Sequence, residues 1–188
     1  TFESLACQVK AGLNMAMCGI PWWNTDIGGF FGWDINNATH DPFAQELQVR
    51  WMQWGCFMPL MRNHRSGPML NEFYHYGKPG EWPFDVQKQY VELRYRLLPY
   101  IYSTMGEVVQ RSGSMMRPLF FDFSYDKRAT KLTDEYLFGH TLNQETHKVG
   151  QKVEYGDLPG KGKIQIPHEP ENQSAKQQHG GADAIALQ

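Results

Sequence analysis

The chain has 188 residues and a formal net charge of −2, so it lacks the strongly basic composition of nucleic-acid-binding domains. No apolar run reaches the roughly 18 residues that a membrane-spanning helix needs. Its three cysteines show no Cys-x-x-Cys spacing. This pattern argues against a disulfide framework or a zinc knuckle and favours buried thiols.

Hydrophobic periodicity predicts helices that alternate with apolar strands. Thr1 can cap the first helix, Asp41 followed by Pro42 begins the second, and Pro99 should kink the third. In chain order the predicted elements are a helix over 2–14, a strand over 15–23, a helix over 42–58, a strand over 60–64, a helix over 83–111 and a strand over 115–123. This order indicates an α/β fold with a parallel sheet covered on both faces.

The composition changes near residue 139. Lys, Gln, Gly and His dominate from there on, and Tyr155 is the one aromatic residue after Phe138. We therefore predict a domain over 1–138 and a tail over 139–188 that is irregular or disordered.

Aromatic and acidic residues meet where the first predicted strand ends. Trp22 and Trp23 precede Asp26, and Phe30 follows it. Aromatic faces stack on sugar rings, and a carboxylate accepts hydrogen bonds from sugar hydroxyls. Because ligands of parallel sheets bind at the carboxyl ends of strands, this segment predicts a sugar pocket. A buried strand closed by an Asp-Gly turn is the alternative.

Polar residues also gather at the end of the second predicted strand. Alternation along a strand places Arg62 and His64 on one face and Asn63 on the other. Arg62 and His64 could bind sugar hydroxyls and fix the charge of a nearby carboxylate. The alternative is an Arg–carboxylate pair that ties two strands together, with His64 as a buried imidazole.

Other chemistries find little support in the sequence. His40, Asp41 and His64 could form a metal site, but no His pair at i and i+4 supports one, and Asp41 is explained as a helix cap. The chain contains neither a phosphate-binding P-loop nor a Gly-x-Ser-x-Gly elbow. We therefore expect no metal and no cofactor.

Several blocks, taken in order, resemble glycoside hydrolase family 31 from Thr1 to Leu142. One of them, residues 50–64, reads Arg-x-x-Gln-x-Gly-x-Phe-x-Pro followed by Arg-x-His. The others are residues 1–5, 11–14, 19–30, 93–100 and 117–119. The resemblance implies a retaining α-glycosidase of carbohydrate metabolism, built on a (β/α)8 TIM barrel of which this chain is the second half.

The same resemblance implies roles for individual residues. Asp26 and His64 would bind the sugar at the cleavage subsite, and Phe30, Trp22 and Trp23 would form its wall. Both catalytic aspartates of the family would lie upstream of Thr1, so we expect no catalytic residue in this chain and no activity of the chain alone.

The expected substrate is an oligosaccharide or glycoside with α-linked xylose or glucose, and the Trp-Trp pair favours α-xylosidase over α-glucosidase. The alternative from another class is a noncatalytic carbohydrate-binding or scaffold domain. Neither the compartment nor the oligomeric state is predicted.

The tail departs from the family pattern. After residues 134–139 the family continues into an apolar strand, whereas residues 140–145 are mostly polar here. A reading-frame change near Leu142 would explain the departure, and a divergent tail is the alternative.

Overall fold

The structure is a computed structural model that describes residues 1–31, 40–66 and 72–140, together with the backbone of a strand at Leu142–Glu145. Its helices are α1 (Phe2–Met17), α2 (Pro42–Gly55), α3 (Trp82–Arg96) and α4 (Leu98–Arg111). Its strands are β1 (Met116–Pro118), β2 (Glu135–Phe138) and β3 (Leu142–Glu145), and short 3₁₀ turns occupy Phe73–His75 and Leu119–Phe121. None of the described helices is both long and apolar enough to cross a membrane.

The local signals for helix starts and breaks are confirmed. The Thr1 hydroxyl accepts a hydrogen bond from the Ser4 amide at 3.1 Å, and Asp41 Oδ1 accepts one from the Phe43 amide at 3.2 Å. The predicted third helix is divided into α3 and α4 at Leu97, two residues before Pro99.

The strand predicted over 15–23 is wrong. α1 continues to Met17, and the Ile20 amide then donates back to the Met15 carbonyl at 3.0 Å, which closes the helix. A short apolar run cannot be assigned to a strand or a helix by periodicity alone, and unbranched methionine and alanine favour the helix.

The sheet differs from the predicted parallel one. β1, β2 and β3 pair in that order and are antiparallel, with Met116 opposite Phe138 and Leu137 opposite Asn143. Among the described residues, parallel pairing occurs at one bridge between Ile27 and Asn63, so the strand predicted over 60–64 is reduced to a single paired residue. β3 lies within the range predicted as a tail, and residues 146–188 are outside the described part.

Tyrosine hydroxyls hold β2 to the rest of the fold. Tyr100 on α4 donates to the Phe138 carbonyl at 2.7 Å, and fully buried Tyr136 donates to the Phe57 carbonyl at 3.0 Å. The Gly139 amide donates to Met115 at 2.7 Å. Burial raises the pKa of Tyr136, so its hydroxyl stays a proton donor.

One arginine side chain fixes the turn that follows α2. The Arg94 guanidinium, on α3, donates to the carbonyls of Cys56 at 2.8 Å, Met58 at 2.7 Å and Pro59 at 2.9 Å. Carbonyls just beyond a helix end have no partners within the helix. The Arg94 guanidinium provides hydrogen-bond donors for three of them here. Burial lowers the pKa of Arg94. These three hydrogen bonds, the Arg94 clamp, fix the turn through which the chain passes from α2 to residues 60–66.

The expectation of buried thiols is confirmed for Cys56 and is wrong for Cys7 and Cys18, which are exposed. Cys56 donates through Sγ to the Tyr90 carbonyl at 3.4 Å. Burial raises the pKa of its thiol to about 12.

Candidate sugar-binding site

Two segments, residues 23–30 and 60–66, run side by side in the same direction, with a parallel bridge between Ile27 and Asn63. Main-chain hydrogen bonds join Leu60 to Trp23 at 3.3 Å, Ile27 to Arg62 at 3.2 Å and Ser66 to Phe30 at 2.9 Å. These bonds bring the two sequence motifs next to each other, although neither segment forms the strand that was predicted for it.

A concavity of about 360 Å³ opens beside these segments. Its lining residues are Ser4, Gln8, Asn24, Thr25, Asp26, Gly29, Phe30, Trp51 and Arg62. Within it, Arg62 Nη2 donates to the Asp26 carboxylate. The Arg62 side chain is 51% exposed and that of Asp26 22% exposed.

Exposure of this pair bears on the alternative in which it only ties two strands together. A solvent-exposed ion pair contributes about 0–1 kcal/mol to stability, because water screens the attraction. The pair does join the two segments, but both groups remain within reach of a ligand in the concavity.

His64 contacts a residue of the concavity, Phe30, but does not line the concavity itself. It is exposed, which rules out the buried imidazole of the alternative, and its ring lies 5.5 Å from that of Phe30, centroid to centroid. The Asn63 amide oxygen is buried, whereas Arg62 and His64 are exposed, as strand alternation predicts.

The two tryptophans lie elsewhere. Trp22 is 46% exposed, and Trp23 packs on α1, where a Cβ on Gly12 would come within 2.8 Å of its indole ring. Neither lines the concavity among the described residues. Trp51, which the helical pattern assigns to the core, is buried and also lines it.

Sequence reasoning did not identify four polar lining residues: Ser4, Gln8, Asn24 and Thr25. Ser4 and Gln8 are four residues apart on α1, so they lie on one helix face. That spacing was the available signal. Asn24 and Thr25 directly precede Asp26 and carried no distinct pattern.

Asp41 serves as the N-cap of α2. Over the described ranges, no three His, Cys, Asp or Glu side chains are arranged to hold a metal ion. The lining residues include one carboxylate, that of Asp26. The described concavity can therefore bind hydroxyl groups through one anion, one cation and an aromatic face.

Comparison with known proteins identifies the family to which the chain belongs. Residues 1–104 match the family model of the glycosyl hydrolase family 31 TIM-barrel domain. The chain is thus a fragment of a (β/α)8 barrel. It belongs to glycoside hydrolase family 31, which confirms the resemblance seen in its motifs.

Individual relatives agree with this assignment. The α-xylosidase of Saccharolobus solfataricus is 38% identical over 141 residues, which cover 73% of this chain and 18% of that protein. Alpha-glucosidase 2 of Bacillus thermoamyloliquefaciens is 33% identical over 139 residues, or 73% and 16%. The crystal structure of a family 31 α-xylosidase from a soil metagenome, complexed with xylose, superposes with a TM-score of 0.71 and 39% identity over 80% of this chain and 24% of that one. The chain spans a quarter or less of the length of each of these three proteins.

Proposed function

We propose that this chain is part of the catalytic barrel of a retaining α-glycosidase that acts on α-linked xylosides or glucosides. In that enzyme it contributes one wall of the sugar pocket. The observation that carries the proposal is the partly exposed Asp26–Arg62 pair beside Phe30, in a concavity of a family 31 chain.

Each residue has a distinct role in this proposal. Asp26 accepts hydrogen bonds from sugar hydroxyls, and the hydrogen bond from Arg62 holds its carboxylate in place. Phe30 offers a ring face to the apolar side of the sugar, and His64 supports that ring and donates or accepts at the rim. Trp22 and Trp23 belong to the wall only if the rest of the barrel forms around them.

Hydrolysis with retention needs two carboxylates, a nucleophile and an acid/base, about 5–5.5 Å apart. The described lining offers only Asp26. We place both catalytic aspartates upstream of Thr1, where they would carry out a double displacement through a glycosyl-enzyme.

The purified 188-residue chain is therefore expected to release no nitrophenol from 4-nitrophenyl α-xyloside or α-glucoside above the buffer rate. A spectrophotometric assay over hours at high protein concentration measures this. Turnover that survives repeated purification and saturates with substrate would contradict the proposed division of labour.

Asp26→Asn is expected to weaken xylose and glucose binding to the same chain. Loss of a charged hydrogen-bond acceptor costs about 1.5–3 kcal/mol, which corresponds to a dissociation constant about 10- to 160-fold higher. NMR titration with each sugar measures the change. Asp126→Asn is the matched control, because Asp126 also pairs with an arginine, Arg128, but lies outside the concavity. Equal affinity of the wild type and Asp26→Asn would reject Asp26 as the sugar ligand.

A noncatalytic carbohydrate-binding or scaffold domain is the second candidate, and the single carboxylate in the described lining favours it. Sequencing the gene upstream of Thr1 separates the two functions. Two aspartates at strand ends of the preceding half-barrel support the enzyme, and their absence supports the binding domain.

A further inference from the structure

The buried side chain of Arg65 links the two segments of the site, residues 23–30 and 60–66. It is 8% exposed and directly follows His64. Its Nη2 donates to the Gly28 carbonyl at 2.9 Å, and its Nε donates to the Gly29 carbonyl at 3.2 Å. One side chain of the 60–66 segment therefore holds two consecutive peptide groups of the other segment.

Those two peptide groups belong to a turn made of two consecutive glycines. Gly28 has φ +85° and Gly29 has φ +88°, in a region that glycine enters freely and leaves just as freely. This turn lies between Asp26 and Phe30, so its conformation sets the angle between the carboxylate and the aromatic ring. A planar guanidinium that spans two carbonyls fixes both at once.

Arg65 is itself supported from the core side. The Tyr76 side chain, 1% exposed, lies beside the Arg65 guanidinium. Burial raises the pKa of Tyr76, and the charge of Arg65 partly opposes that rise. Gln45 of α2 donates to the Tyr76 carbonyl at 3.1 Å. A chain of contacts thus runs from α2 through Tyr76 and Arg65 to the glycine turn.

We propose that Arg65 is a positioning residue, which orders the Gly28–Gly29 turn so that Asp26 and Phe30 face the sugar together. Arg65 does not itself line the concavity, so it acts through the turn and not by contact with the ligand. The effect on sugar affinity rests on the proposed function, whereas the ordering of the turn can be measured without any sugar.

The test compares the wild-type 188-residue chain with Arg65→Lys, which keeps the charge but has no planar fork to span two carbonyls. Hydrogen exchange is followed at two backbone amides. The Ile27 amide donates to the main-chain carbonyl of Arg62, and the Gly29 amide donates to that of Asp26. We expect exchange at these two amides to become about 10-fold faster, with unchanged exchange in α3, and the dissociation constant for xylose to rise about 10-fold.

Arg117→Lys is the matched control, because Arg117 makes two hydrogen bonds to Asp122, at 3.0 and 2.8 Å, away from this site. It should leave exchange at Ile27 and Gly29 and xylose affinity unchanged. Wild-type exchange at both amides in Arg65→Lys would overturn the proposal, and so would faster exchange with unchanged xylose affinity. If the wild type itself binds no sugar, the proposed function fails, and the exchange measurement still decides whether Arg65 orders the turn.

A measurement on the wild type keeps the test independent of how Arg65→Lys folds. The Nε proton of Arg65 should exchange with solvent at least about 10-fold more slowly than that of exposed Arg96. Equal exchange rates of the two protons would show that the hydrogen bond from Arg65 Nε to the Gly29 carbonyl is not maintained, and the proposal would fail.

Discussion

Arg94→Met is expected to lower the free energy of unfolding by about 3–5 kcal/mol. The substitution removes three charged hydrogen bonds and leaves the carbonyls of Cys56, Met58 and Pro59 without that donor. Methionine fills much of the arginine volume, so the loss measures hydrogen bonding more than packing. Urea denaturation followed by tryptophan fluorescence gives the value.

Two further variants separate the clamp from the general effect of charge. Arg96→Met removes an exposed arginine of the same helix and should change stability by less than about 0.5 kcal/mol. Arg94→Lys keeps a donor that reaches fewer carbonyls and should fall between the two. A change below about 1 kcal/mol for Arg94→Met would mean that water replaces the guanidinium without loss.

Gly139→Ala is expected to destabilise the chain by about 2–4 kcal/mol. Gly139 has φ +69°, and a Cβ there would overlap the Tyr100 hydroxyl and lie 2.9 Å from Tyr100 Cζ. The ring would have to move, which breaks its hydrogen bond to the Phe138 carbonyl. Thermal and urea unfolding both report the loss.

Gly80→Ala isolates the backbone part of that effect. Gly80 has φ +92°, but a Cβ there would meet no atom within 4 Å. It should cost about 1 kcal/mol, the strain of a left-handed alanine alone. If Gly139→Ala costs no more than Gly80→Ala, Tyr100 is not held tightly against β2.

Elements set by neighbouring residues could be predicted from the sequence. The Thr1 cap, the start of α2 at Asp41–Pro42 and the break before Pro99 each depend on a few adjacent residues, and each is confirmed. The strand pairing depends on partners far apart in the chain. β1 pairs with β2, whose Met116–Phe138 register no local pattern specifies.

β3 shows the same limit more sharply. Its sequence, Leu-Asn-Gln-Glu, has no apolar alternation, so the pattern predicted no strand there. Main-chain hydrogen bonds to β2 define it, and such bonds do not depend on side-chain type.

In the site, too, features set by neighbouring residues could be predicted, and features set by distant residues could not. Strand alternation correctly separated Arg62 from Asn63, and the segments that carry Asp26 and Arg62 do meet. The position of Trp23 could not be predicted, because it depends on the space that Gly12 leaves on α1. Nor did the pattern point to Arg65, since a single arginine after a histidine gives no sign of burial.

Because Cys7 and Cys18 are exposed and Cys56 is buried, the chain carries two natural labelling sites for a distance measurement. The two accessible thiols are eleven positions apart along α1 and at its end, which corresponds to about 16 Å along a helix axis. Spin labels or a fluorophore pair can be attached there without mutation. Their separation would report whether α1 keeps its full length when the chain meets a saccharide or the preceding part of its barrel.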